Sequence, residues 1–185
     1  RGEQADVPLL AGFNSGEIRS LRRLLPPAPA TSSGYEAKIR EAYGDLAEVF
    51  LALYPADTID ESMLATTRDA LYGWTAERLA RKQTLLGQDG FLYLFDHGYP
   101  EADKAGLHAF HASEIPYVFG TIHETAPNWP KIPRNAQERE LSDAMLQYWA
   151  TFARDGQPRA HGQPDWPAYG PQAAFMVFDE TPQTG

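Results

Sequence analysis

The sequence predicts an α/β protein that holds only the last strands of a larger sheet. Three observations lead there. Short runs of apolar, β-forming residues stand far apart, long stretches between them carry helical periodicity, and Gly- and Pro-containing turns close the runs. Three strands at such distances are too few to enclose a core by themselves, so the expected fold is partial.

The elements follow in chain order. Residues 7–14 form an apolar run ending in turn residues, as a buried parallel strand does. Residues 24–34 contain Pro26, Pro27 and Pro29 and are expected as a loop. From Tyr35 the apolar positions Ile39, Tyr43, Leu46, Phe50 and Leu53 recur at helical spacing until Tyr54-Pro55 stops them. Asp60 is placed to cap a helix bearing Leu64, Leu71 and Trp74, with Gly73 as an interruption. Residues 76–86 continue helical, closed by Gly87 and Gly90. Residues 91–95, Phe-Leu-Tyr-Leu-Phe, form the second strand. Asn135 and Glu138 have capping-box spacing. They open a helix whose stripe is Leu141, Met145, Tyr148, Trp149 and Phe152, and Gly156 closes it. Residues 174–178 form a final short strand. No repeat or low-complexity segment interrupts this order.

Charge and composition remove several classes of function. With 16 basic against 25 acidic residues the net charge is −9, which disfavours nucleic acid and anionic membrane surfaces as partners. No apolar run approaches about 18 residues, so no membrane span is expected. Cysteine is absent, which excludes disulfide and thiolate chemistry within these residues but fixes no compartment. The polar start, Arg1 to Asp6, lacks a signal-peptide pattern, and a buried strand follows almost at once. Residues upstream of Arg1 are therefore expected in the parent gene.

Two clusters could carry chemistry. The first is Gly12-Phe-Asn-Ser-Gly-Glu17, directly after the first strand. Loops at the carboxyl ends of strands build active sites in open α/β sheets, so a carboxylate there is well placed. A structural alternative is open: Asn14 and Glu17 also have capping-box spacing, and Glu17 could serve a helix through residues 18–25. The second cluster is His108-Ala-Phe-His111-Ala-Ser-Glu114-Ile-Pro-Tyr-Val-Phe-Gly120. A loop histidine titrates near neutrality and can act as a general base when a carboxylate holds its tautomer. Alternatively both histidines bond only to backbone, or Glu114 pairs with an arginine. A zinc site on His108, His111 and Glu114 has the wrong spacing, and Pro116 cuts any helix short. His97, His123 and His161 have no supporting pattern.

These pieces, in this order, resemble the type-B carboxylesterases, the cholinesterase-like branch of the α/β hydrolases. Residues 7–17 resemble the strand and turn that present the family's triad acid, and residues 111–120 the segment presenting its histidine. Tyr148-Trp-Ala-Thr-Phe-Ala-Arg-Asp-Gly-Gln-Pro158 resembles the long helix and turn near the family's carboxyl end. Asp165-Trp-Pro-Ala-Tyr169 with residues 175–178 resembles its closing segment. The resemblance implies the carboxyl-terminal portion of an α/β-hydrolase fold over residues 1–185, with the last strands of the central sheet plus helices.

It also implies roles. Glu17 matches the triad carboxylate and His111 the general base, while Glu114, Tyr117 and Phe119 match positions that shape and support the histidine loop. Gly16 and Ile18 depart from the acidic residue and glycine that usually flank the triad glutamate. Tyr117, Phe119 and Trp129 could line a pocket, although such aromatics are more often core. No Gly-x-Ser-x-Gly occurs, and the Gly-rich oxyanion-hole motif is missing too. The fold class orders its triad Ser, then acid, then His, so a nucleophile and an oxyanion hole are implied upstream. The implied substrate is a carboxylic ester, with no metal or organic cofactor, and the chain alone is expected to be inactive. The family's non-catalytic binding and adhesion members are the alternative; retention of both Glu17 and His111 argues against them.

Overall fold

The computed structural model describes residues 3–185. Its sheet has four strands, β1 (Leu9–Asn14), β2 (Gly90–Phe95), β3 (Met176–Phe178) and β4 (Pro182–Thr184), in that spatial order. β1 pairs parallel with β2 in the register Leu9 to Gly90 through Asn14 to Phe95, and β2 pairs parallel with β3. β4 folds back antiparallel on β3. Every carboxyl end of the three parallel strands therefore points to one edge.

The helices are α1 (Ser32–Tyr43), α2 (Ala47–Leu53), α3 (Ile59–Arg68), α4 (Trp74–Leu85), α5 (Pro100–Lys104), α6 (Ile115–Val118) and α7 (Ala136–Asp155). A five-residue π turn, Asp69–Gly73, joins α3 to α4 without a break. β2 is covered on both faces. Phe91 and Phe95 point into the main core with Tyr117, Leu141, Met145, Tyr148, Trp166, Met176 and Phe178. Leu92 points the other way, onto Ala76 and Ala80 of α4. Two-sided burial explains why β2 reads as a continuous apolar run. Trp166 ties the main core together, its Nε1–H donating to the Leu92 carbonyl at 3.1 Å.

Several expectations are corrected. The loop through residue 34 is shorter than expected, because Thr31 Oγ1 accepts from the Gly34 N–H at 3.1 Å and starts α1 early. The single helix expected over residues 35–54 is two, since Gly44 adopts φ 52° and turns the chain between α1 and α2. Residues 18–25 form no α-helix, only turns and the 3-10 turn Arg22–Leu24, so Glu17 caps no helix there. Helix α7 is as expected at both ends: Asn135 Oδ1 accepts from the Glu138 N–H at 2.9 Å, and Gly156 closes it at φ 73°. Its capping box is nonetheless half-made, because the Glu138 side chain turns into the core instead.

Candidate active site

The site is assembled where β1 ends. The Ser15 N–H donates to the Phe95 carbonyl at 2.9 Å, carrying the strand pairing one step past β1. Gly16 then forms a parallel bridge to Phe110, with its N–H on the Ala109 carbonyl at 2.9 Å. This bridge brings the turn of residues 14–17 against the segment leading to His111. It requires glycine at position 16: a Cβ there would lie 2.6 Å from the Leu107 carbonyl oxygen and 2.7 Å from that of Ala109. The glycine before Glu17 thus has a steric cause in this chain.

Glu17, only 5% exposed, splits its two oxygens between two tasks. Oε1 accepts from the Asn14 N–H at 3.0 Å, and Oε2 lies 2.5 Å from His111 Nδ1 across 94 positions of sequence. Glu17 thus bonds both to backbone and to an imidazole, although residues 18–25 form no α-helix. The backbone contact to Asn14 holds the carboxylate still, and the other oxygen engages the imidazole. The His111 side chain is 44% exposed, and its Nε2 has no hydrogen-bond partner among the described residues. Ala112 follows at φ 69°, a left-handed turn that swings the chain from His111 back into the core. The Tyr72 ring, from the π turn, stands beside the imidazole at 5.7 Å between centroids. Burial, and then the Glu17 charge, raise the Tyr72 hydroxyl pKa.

Glu114 is half-buried and accepts from Asn14 Nδ2 at 2.5 Å; the same amide donates to the Phe110 carbonyl at 2.9 Å. Burial raises the Glu114 carboxyl pKa, outweighing the Asn14 hydrogen bond that opposes it. Glu114 thus meets an asparagine rather than an arginine. Tyr117 is fully buried, donating its hydroxyl to Glu138 Oε2 at 2.6 Å and accepting from Ser142 Oγ through its carbonyl at 3.0 Å. Phe119 stands apart. Expected to shape the histidine loop, it is 70% exposed, because α6 ends at Val118 and the chain turns outward at Gly120, φ 66°. Trp129 packs edge-on against Phe110 at 5.0 Å, half-buried against the edge of the core.

The zinc alternative has no geometry behind it. His108 Nδ1 goes to Asp103 Oδ1 at 2.6 Å, His111 to Glu17 and Glu114 to Asn14, so the three side chains face three different partners. Sequence reasoning missed the second role of Asn14, the neighbour Tyr72, and a buried pair, His97 with Glu138, at 2.9 Å. A polar cavity of about 630 Å3 has Ser15, His97 and Asp179, from beyond the three parallel strands, among its walls, together with Glu138 but neither Glu17 nor His111.

A family model described as the carboxylesterase family matches residues 2–184. The chain belongs to the carboxylesterase family. Among relatives, it is 37% identical over 197 residues to a pyrethroid hydrolase, Ces2e, of Rattus norvegicus, covering 97% of this chain and 34% of that protein. It is 26% identical over 202 residues to the medium-chain fatty acyl-CoA hydrolase precursor of Anas platyrhynchos, covering 95% of this chain and 34% of that protein. Carboxylesterase 1C of Mus musculus is 26% identical over 199 residues, at 96% and 34% coverage. The chain thus spans about a third of the length of the curated relatives it matches. The four-stranded mixed sheet with its helices fits part of the family's α/β-hydrolase fold. Among the described residues, no helix is long and apolar enough to cross a membrane.

Proposed function

We propose that residues 1–185 are the carboxyl-terminal part of a serine carboxylic-ester hydrolase, supplying its triad acid, Glu17, and its general base, His111. The observation that carries this reading is the Glu17 Oε2 to His111 Nδ1 contact at 2.5 Å, on a half-exposed imidazole whose Nε2 has no hydrogen-bond partner among the described residues. Nδ1–H donates to the carboxylate, so the lone pair sits on Nε2, where a proton acceptor for a serine hydroxyl is needed. The nucleophile and oxyanion hole come from an upstream part of the same protein. That agrees with the lack of a Gly-x-Ser-x-Gly here and with the outer edge of β1, which pairs with no strand among the described residues and is a template for further ones.

In the complete enzyme the serine Oγ attacks the ester carbonyl while His111 Nε2 takes its proton, and Glu17 offsets the charge that the imidazole gains. The tetrahedral intermediate collapses, His111 returns the proton to the leaving alcohol, and water releases the acid by the same route. Two relatives carry the names of a pyrethroid hydrolase and an acyl-CoA hydrolase, consistent with substrates that present a carbonyl bonded to a leaving oxygen or sulfur.

A fluorescent organophosphonate applied to the full-length protein tests this. It should label one serine upstream of Arg1, and His111→Ala should abolish labelling and hydrolysis of a short-chain aryl ester while leaving the protein folded. Labelling that survives His111→Ala unchanged would remove the general-base assignment.

A further inference from the structure

The proposed chemistry makes no use of the most deeply buried polar cluster, formed by His97, Tyr117 and Glu138 at 4%, 0% and 2% exposure. One carboxylate oxygen, Glu138 Oε2, accepts from both His97 Nε2 at 2.9 Å and Tyr117 Oη at 2.6 Å. Burial pushes the Glu138 carboxyl up, but the bonds from His97 and Tyr117 outweigh it and hold it below its ordinary value. Burial and that carboxylate together push the Tyr117 hydroxyl well up, so it stays a donor.

The cluster's position gives it a further meaning. Glu138 lies in the first turn of α7, and Ser142, one turn on, donates to the Tyr117 carbonyl at 3.0 Å. Tyr117 is thereby gripped at both ends, hydroxyl and carbonyl, by one face of the longest helix in the described residues. Tyr117 belongs to α6, whose first turn bonds back to Glu114: the Tyr117 and Val118 N–H groups both reach the Glu114 carbonyl at 3.0 Å. Glu114 in turn holds Asn14, whose N–H holds Glu17. His97 ties the same oxygen to the loop after β2, and its ring packs on Phe95 and Tyr117 at 6.3 and 5.6 Å between centroids.

We infer that Glu138 is a positioning residue for the proposed esterase chemistry: by accepting from Tyr117 and His97 together, it anchors α6 and so fixes the turn that carries His111. The inference rests on the esterase reading. Glutamine can put an amide oxygen where Oε2 stands and keep both bonds, whereas leucine leaves two buried donors unpaired.

The test uses the full-length protein, with active sites counted by burst titration so that unfolded molecules are excluded. Glu138→Leu should lower kcat roughly 10²-fold, the cost of ångström-scale misplacement of a catalytic group, with KM little changed. Glu138→Gln should restore kcat to within about three-fold of the parent, and Tyr117→Phe, which deletes one bond and keeps the ring, should fall between them. The 15N signals of His111 should broaden or shift in the leucine variant and return in the glutamine one. Glu138→Gln as slow as Glu138→Leu, or Glu138→Leu as fast as the parent, overturns the inference. If Glu138→Leu yields no folded protein, Tyr117→Phe decides, and parental kcat and His111 signals in it overturn the inference. Absence of hydrolysis in the parent instead sinks the esterase reading, and the His111 signals then decide on positioning alone.

Discussion

Replacing Gly16 with alanine would place a methyl group against two backbone carbonyls. The added Cβ would sit 2.6 Å from the Leu107 oxygen and 2.7 Å from the Ala109 oxygen, where ordinary contact begins near 3.4 Å. Relief needs a shift of about 0.8 Å, and both obstacles are main chain, so no side chain can rotate aside. The shift would also pull the Gly16 N–H away from the Ala109 carbonyl, a 2.9 Å bond now. Overpacking of this kind costs about 1–3 kcal/mol and the weakened hydrogen bond about 1 more, for roughly 2–4 kcal/mol in all. Because that bridge is what sets Glu17 against His111, the same displacement should lower kcat/KM by roughly 10²-fold. Urea unfolding and aryl-ester hydrolysis of the full-length protein measure the two effects. A variant within about 0.5 kcal/mol and two-fold of the parent would refute the steric reasoning.

Three further outcomes are expected. The Glu114 carboxyl is raised above 4.5 by burial, so its contribution to stability is full below that value and is lost as pH rises through the raised one. Glu114→Gln, which cannot ionise yet can still accept from Asn14, should therefore gain in urea midpoint relative to the parent as pH rises from below 4.5 through the raised value; an unchanged difference would contradict this. Trp166→Ala opens a cavity among Phe91, Tyr148, Trp149 and Phe178 and removes the Nε1–H donor from the Leu92 carbonyl, so unfolding should be easier by about 3–5 kcal/mol, and a loss under about 1 would show the ring to be peripheral. The 185-residue chain by itself should hydrolyse an aryl ester no faster than its His111→Ala variant; turnover well above that control would place a nucleophile within it.

Local chemistry made much of the fold legible. The strands β1 and β2 announce themselves as apolar runs closed by turn residues, and α7 by its cap, stripe and closing glycine. β4 gave no such signal, because Pro-Gln-Thr has no apolar alternation and only Pro182 is buried. The break at Gly44 was hidden by periodicity that runs on through Tyr43 and Leu46 into α2. At the site, Glu17 and His111 were singled out together through resemblance to a family, since no local spacing links residues 94 apart. Glu138 was read as a cap alone. Yet it lies three residues before Leu141 and seven before Met145, on the buried stripe of α7, and a carboxylate on that stripe needs a buried partner. That partner, His97, stands on a loop 41 positions away, which only the β2 and α7 packing brings near.

The central claim is that Glu17 and His111 act as one unit on a serine supplied from upstream. A double-mutant cycle in the full-length protein tests it most directly, with kcat/KM measured for the parent, Glu17→Gln, His111→Ala and the pair. Residues that act as a unit are strongly non-additive, so His111→Ala should cost about 10⁴-fold or more and Glu17→Gln should add almost nothing on top of it. If the two losses multiply as independent effects, or if His111→Ala leaves hydrolysis near the parental rate, the pair is not the catalytic acid and base.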